Sequence, residues 1–252
     1  MSNKLDNVAQ RIFRRPACRV RGACMALLLA CGSASGYAAG LTVALTNDDG
    51  WDSPGIQAVQ QVLQQQGHTV LMAAPGTNQS GSSAAMSVGA LQIRREADRQ
   101  FSIWTCRDKE CATRTSASPA TSALAAIDLV RQINQGRVPD LLVSGINAGA
   151  NLGASTLISG TVGAAMVAAA RPFGGGVPAI AISTDVPAAC DRNAACEKAH
   201  YQSVAGVLAK LLAALQDRQQ RSRQNRLLPF DMVMNINVPP TPLRAVRVNV
   251  TS

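Results

Sequence analysis

Leu41-Thr-Val-Ala-Leu-Thr-Asn-Asp-Asp-Gly50-Trp-Asp-Ser-Pro54 is the stretch on which the fold turns. Leu41 to Thr46 reads as a buried strand, and residues 47–52 form an acidic turn. Ser53 and Pro54 then supply a cap and a first helical residue for a helix running to about Gln65. Strand, turn and helix in that order open an α/β unit. Downstream, Thr69 to Ala73 gives the next strand and Pro75 to Ser87 a loop rich in Gly and Ser. Residues 88–104 alternate as extended or hairpin structure through Leu91, Ile93 and Phe101. Helices are expected over 122–135, about 160–170 and 201–216, interleaved with strands over 139–143, 179–183 and 232–238. Such alternation predicts one mainly parallel, three-layer, Rossmann-like sheet with its working loops at the carboxyl edge.

Working outward to the N-terminus, residues 1–22 carry Lys4, Arg11, Arg14, Arg15, Arg19 and Arg21 against one acid, Asp6. An apolar run from Ala23 to Ala30 follows, and small residues lead on to Gly40. This is the layout of a secretory signal. Cleavage after Ala38 would use Gly36 and Ala38 as the small-residue positions, so the expected division is a signal peptide over 1–38 and one domain over 39–252. Two alternatives stand beside it: lipid attachment at Cys31, or an extension ahead of a cytoplasmic domain beginning near Leu41. The leading expectation is a periplasmic or secreted protein.

Removing the leader changes the charge. The whole chain has 24 basic and 15 acidic residues, a net of +9, but residues 41–252 retain a net of only about +4. Arg218, Arg221, Arg223 and Arg226 lie in a Gln-rich segment without interleaved aromatic residues, which reads as a solvated face rather than a site for nucleic acid polymer. No second apolar run reaches the roughly 18 residues that a membrane-spanning helix needs. Of the seven cysteines, Cys106, Cys111, Cys190 and Cys196 fall outside the leader. In an oxidising compartment they are expected to close two local disulfides, Cys106 with Cys111 and Cys190 with Cys196. A zinc site is the rival, disfavoured by the spacings and by a supply of only two histidines, His68 and His200.

Asn47-Asp48-Asp49-Gly50 sets adjacent carboxylates at the end of a hydrophobic strand, where oxygen ligands suit Mg²⁺, Mn²⁺ or Ca²⁺. An exposed acidic turn with Gly50 in an awkward dihedral explains the same residues. Two further polar loops, 78–83 and 145–151, offer hydroxyl, amide and backbone groups. Ser159-Gly160-Thr161 precedes a helix of small residues, and its amides and hydroxyls could receive a phosphate at the helix N-terminus. A cap with close helix packing accounts for that tripeptide equally well.

Together these segments resemble the SurE family of metal-dependent nucleotidases. The resemblance covers roughly 41–250 and rests on Asn47-Asp-Asp-Gly50 with Pro54-Gly-Ile56, Pro75 with Asn78-Gln-Ser-Gly81, and Val143-Ser-Gly-Ile-Asn-Ala-Gly149 with Asn151-Leu-Gly153. Ser159-Gly-Thr-Val162 and Asn235-Ile-Asn-Val-Pro239 complete it. It implies a SurE-type α/β fold and hydrolysis of nucleoside 5′- or 3′-monophosphates and other small phosphomonoesters. One divalent cation per subunit, Mg²⁺ or Mn²⁺, would be held by Asp48, Asp49, Ser80 and Asn147. Asp48 and Asp49 would be the catalytic residues, with Asn78, Ser159, Gly160 and Thr161 at the substrate phosphate. A homodimer or higher homo-oligomer is also implied. The family extends past the Asn-Val-Pro strand into a region of subunit exchange, and with Ser252 as the last residue that portion is expected to be shortened. Two positions depart from the family pattern: Gly76 stands where an acid commonly follows the proline, and Ser122 stands where the Thr-Pro-Thr-Asp-like segment has its acid. These departures motivate a second reading, a catalytically weak nucleotide- or phosphate-binding protein on the same fold.

Overall fold

The structure is a computed structural model and describes residues 40–223 and 226–240. The expected leader, the two residues after Arg223 and the chain beyond Pro240 lie outside the described residues, and with them any shortened exchange region.

Eight strands form one sheet: β1 (Thr42–Thr46), β2 (Thr69–Pro75), β3 (Leu91–Ala97), β4 (Gln100–Cys106), β5 (Arg114–Ser116), β6 (Leu141–Ala148), β7 (Ala179–Thr184) and β8 (Val233–Val238). Their order is β3-β4-β2-β1-β6-β7-β8, with β5 paired to β4. From β4 to β8 every neighbouring pair along this order is parallel, while β3 and β5 run antiparallel to β4. Successive side chains of a strand face opposite sides. Val43 and Leu45 accordingly pack with α1 (Pro54–Gln65) and α5 (Ala194–Ser222), while Ala44 packs with α2 (Pro119–Ile133) and α3 (Gly160–Ala169). The result is the three-layer α/β arrangement that the alternation predicts. A four-residue helix, α4 (Arg171–Gly174), links α3 to β7.

Three elements differ from expectation for local reasons. Helix α2 starts three residues early because Ser118 caps it, accepting from the Thr121 amide at 3.3 Å, and Pro119 fits the first turn. Strand β6 runs on through Ser144-Gly-Ile-Asn-Ala148, which composition alone marks as a loop. Gly145 permits this: its φ is +125°, and a Cβ there would lie 2.2 Å from the Ile182 carbonyl oxygen. Helix α5 begins at Ala194 rather than Tyr201, capped by Asn193, whose Oδ1 accepts from the Cys196 amide at 3.0 Å. It also takes in the Gln-rich segment, where Arg221 pairs with Asp217 one turn earlier.

The structure joins Cys106 to Cys111 and Cys190 to Cys196, with Cα separations of 4.7 and 5.1 Å. Both separations suit a disulfide. The first closes the turn between β4 and β5. The second staples the start of α5 to the turn that precedes it. Among the described residues, no helix is long and apolar enough to cross a membrane.

At the opposite end of the sheet from the polar loops, buried His68 accepts a hydrogen bond from the Leu41 amide through Nδ1 at 3.1 Å and so anchors the entry to β1. Burial pushes the imidazole pKa down. A base depressed in the folded state stabilises above its unfolded value near 6.5 and loses that contribution as pH falls through the folded value. The thermal midpoint of a His68→Gln variant should therefore change less than that of the parent between pH 7.5 and 5. Superimposable difference profiles, measured by circular dichroism melting, would remove His68 from the acid response.

Candidate functional site

The carboxyl ends of β1, β2, β6 and β7 bring the polar loops together. Just past β1, Asn47 is fully buried and organises the turn. Its Oδ1 accepts from the Gly50 amide at 3.2 Å, and its Nδ2 donates to the Gly50 carbonyl and to Ser53 Oγ, both at 2.8 Å. Ser53 thus precedes α1 as its cap residue, but its hydroxyl is tied to the turn rather than to a helix amide. Gly50 takes φ +108°, a conformation that suits glycine.

That turn presents Asp48 and Asp49 to different partners. Asp48 is 3% exposed; Oδ1 accepts from Thr161 Oγ1 at 2.6 Å and Oδ2 from the Thr161 amide at 3.2 Å. Asp49 accepts from Asn78 Nδ2 at Oδ1 and from the Ala148 amide at Oδ2, each at 3.1 Å. The loop after β2, the end of β6 and the start of α3 therefore converge on one pair of adjacent acids. Burial raises the pKa of Asp48. Burial first, and the neighbouring Asp48 charge second, push Asp49 up to about 6. Two desolvated carboxylates side by side resist ionising together, and a cation between them would relieve both effects.

The other expected residues sit around this pair in distinct roles. Asn78 bridges, because its Oδ1 accepts from the Ser80 amide at 2.9 Å while its amide group holds Asp49. Ser80 is exposed at the rim. Asn147 is nearly buried and donates from Nδ2 to the Gly149 carbonyl at 2.6 Å; no described residue donates to its Oδ1. Ser159 Oγ caps α3, accepting from the Val162 amide at 3.0 Å. The Thr161 hydroxyl donates to Asp48. Thr161 therefore gives its proton to the acid, while Ser159 keeps its O–H for a further acceptor. Gly160 is required by contact rather than by conformation: a Cβ there would lie 2.8 Å from Asp48 Cβ and 2.9 Å from Pro119 Cγ.

Several supporting residues have no role assigned by the sequence, although three of them, Asn151, Asn235 and Asn237, fall in its motifs. The Asn151 amide donates to Asn237 Oδ1 at 2.7 Å, and its carbonyl accepts from Asn235 and Asn237 Nδ2 at 2.9 and 3.2 Å. Asn151 Nδ2 also donates to Ser183 Oγ, and Asp185 Oδ1 accepts from the Ala150 amide, both at 2.9 Å. The spacing of Asn235 and Asn237 on one face of β8 was the available signal. Tyr201, 2% exposed on α5, is a second omission: burial, then the charges of Asp49 and Glu197, drive its phenol upward.

Oxygen ligation fits the donor set. Among the described residues no three His, Cys, Asp or Glu side chains cluster, which leaves two carboxylates with neutral hydroxyl and amide oxygens nearby. Mg²⁺ is commonly held by one or two carboxylates, with water and substrate phosphate completing its shell. The structure also accounts for one departure. A Cβ at Gly76 would stand 2.2 Å from the Trp104 ring, so the indole fills the position where an acid would project.

Comparison with known proteins identifies the family. The family model described as Survival protein SurE matches residues 43–252. The 5′-nucleotidase SurE 1 of Burkholderia lata is 35% identical over 206 residues, covering 81% of this chain and 66% of that relative. The 5′/3′-nucleotidase SurE of Edwardsiella ictaluri is 31% identical over 208 residues, covering 82% of this chain and 66% of the relative. The crystal structure of the SurE protein from Aquifex aeolicus superposes with a TM-score of 0.56 at 27% identity, covering 79% of this chain and 66% of that one. The chain spans about two thirds of the length of these relatives. With the acidic turn, the β6 motif and the α3 cap all in one site, and the family model matched over nearly the whole domain, the chain belongs to the SurE survival-protein family.

Proposed function

We propose that this chain is a phosphomonoesterase that hydrolyses nucleoside 5′- or 3′-monophosphates with one divalent cation, Mg²⁺ or Mn²⁺, per subunit. The observation that carries the reading is the adjacent pair at a strand end, Asp48 buried and Asp49 half-buried, each held by hydrogen bonds from different elements. The printed names of the relatives, 5′-nucleotidase and 5′/3′-nucleotidase, support the substrate class.

Asp48, Asp49, the Ser80 hydroxyl and Asn147 Oδ1 would hold the cation. Such an ion supplies Lewis acidity toward a phosphoryl oxygen and lowers the pKa of a bound water. The chain itself supplies orientation. Thr161 fixes both oxygens of Asp48, and Asn78 with the Ala148 amide fixes both oxygens of Asp49, so neither carboxylate need reorganise when phosphate arrives. Asn78 Nδ2, with one hydrogen on Asp49, keeps a second hydrogen that would meet a phosphoryl oxygen. Asp48 has both oxygens occupied by Thr161, which favours a binding role over proton transfer. Asn151 and its partners on β8 would keep the Asn147 loop from drifting.

The same reading includes export to the periplasm or beyond, supported by the leader sequence and by two disulfides in the described chain. It also includes a homodimer or higher homo-oligomer, following the family. Substrates are small nucleotides, and nucleic acid polymers are not among the expected partners.

Phosphate release from 5′-AMP, 5′-GMP, 3′-AMP and an aryl phosphate, with and without Mg²⁺ or Mn²⁺, tests the activity. Turnover should need the ion, stop with chelator and vanish in Asp49→Asn. Tight nucleotide binding without turnover under any of these ions would instead favour a binding protein. A second expectation concerns the outer contact: Thr161→Val should lower activity about 10- to 100-fold and raise the concentration of cation needed for half-activation. An unchanged cation requirement would deny Thr161 its positioning role. For export, protein recovered from the native cell envelope should have the mass of residues 39–252 less four hydrogens for two disulfides. An intact N-terminus or four free thiols would sink that part of the reading.

A further inference from the structure

Three hydroxyls near the site have no hydrogen-bond partner among the described residues: Thr46, Ser122 and Ser144, all completely buried. Buried polar groups are nearly always paired, so three orphans in one region require an explanation. Their positions in the fold bring them together. Thr46 and Ser144 are direct neighbours in the parallel pairing of β1 with β6. Ala44 and Leu142, two residues earlier on the same strands, lie in the core between the sheet and α2 and α3. The period of a strand puts Thr46 and Ser144 on that same side. Ser122 occupies the first turn of α2, beside Ala123 of the same core. Pro119, one turn earlier, flanks Gly160 together with Asp48, which sets the start of α2 level with the end of β1. Thr46 and Ser144 thus lie side by side on the face of the sheet that α2 covers, and Ser122 lies in the first turn of that helix.

We propose that one buried water molecule binds among Thr46, Ser122 and Ser144 and serves as the missing acceptor and donor of this group. Its chemistry is set by the lining. Three hydroxyls carry no charge to compensate a cation, yet each can both give and take a proton, and a buried water typically makes about three hydrogen bonds. The water is a fixed part of the packing between the sheet and α2 and does not depend on the proposed phosphatase activity.

A high-resolution crystal structure of the full protein should show a density peak within hydrogen-bond distance of at least two of the three hydroxyl oxygens. Continuous packing without a peak, or the three hydroxyls bonded to one another, would overturn the proposal. Thr46→Val provides a thermodynamic arm because it keeps shape and removes only the hydroxyl. If that hydroxyl is bonded to water, the variant should melt about 3 °C or more below the parent. Were the hydroxyl a true orphan, its removal would raise the midpoint. Ser144→Ala should lower the midpoint as well, and the double variant should lose less than the two single losses combined, since both groups bind one molecule. Additive losses or any gain would count against a shared water.

Discussion

A buried carboxylate held by the first turn of a helix organises this protein. Asp48 lies almost wholly out of water, where ionisation is costly, and it is sustained there by the Thr161 amide and hydroxyl. The amide is one of the donors that the start of α3 leaves without an intrahelical partner, so the acid and the helix each complete the other. This contact crosses 113 residues of sequence and ties the end of the first strand to the other half of the sheet. Gly160 must lack a side chain for it to form, and Pro119 closes the same space from α2. The start of two helices and the end of β1 are thereby set by one interaction.

Around that contact the chain uses asparagine repeatedly, and for one reason. Asn47, Asn78 and Asn151 sit just past strand ends and Asn147 at the end of β6, where the backbone leaves amides and carbonyls unpaired. A short side chain with both donor and acceptor satisfies such groups without adding charge. The two acids are thus embedded in neutral polar support, and their own charges dominate the local field. Rigidity on β8 comes from the same chemistry, with Asn235 and Asn237 gripping the Asn151 carbonyl.

The layers, the parallel sheet and the acidic turn were legible because each depends on local pattern: apolar strands, a capped helix with proline in its first turn, and paired acids at a strand end. Strand β5 was not, since three residues paired to one neighbour carry no periodicity. The continuation of β6 through Ser144 to Ala148 was hidden by its small and polar residues, which are held in the strand by pairing with β7 rather than by their own hydrophobicity. At the site, residue types were readable but their allegiance was not. Ser159 and Thr161 had the composition of a phosphate cradle, yet one caps its own helix and the other holds an acid that is distant in sequence. Only the fold decides which neighbour a hydroxyl will find first.

The contact between Gly76 and Trp104 carries an evolutionary consequence. The indole lies where any side chain at 76 would have to begin, and it is itself anchored by its Nε1 donating to Ser102 Oγ at 2.8 Å and by Arg114 over its face. Any side chain at 76 therefore demands a smaller or re-oriented residue at 104, so each position limits what substitution the other can accept.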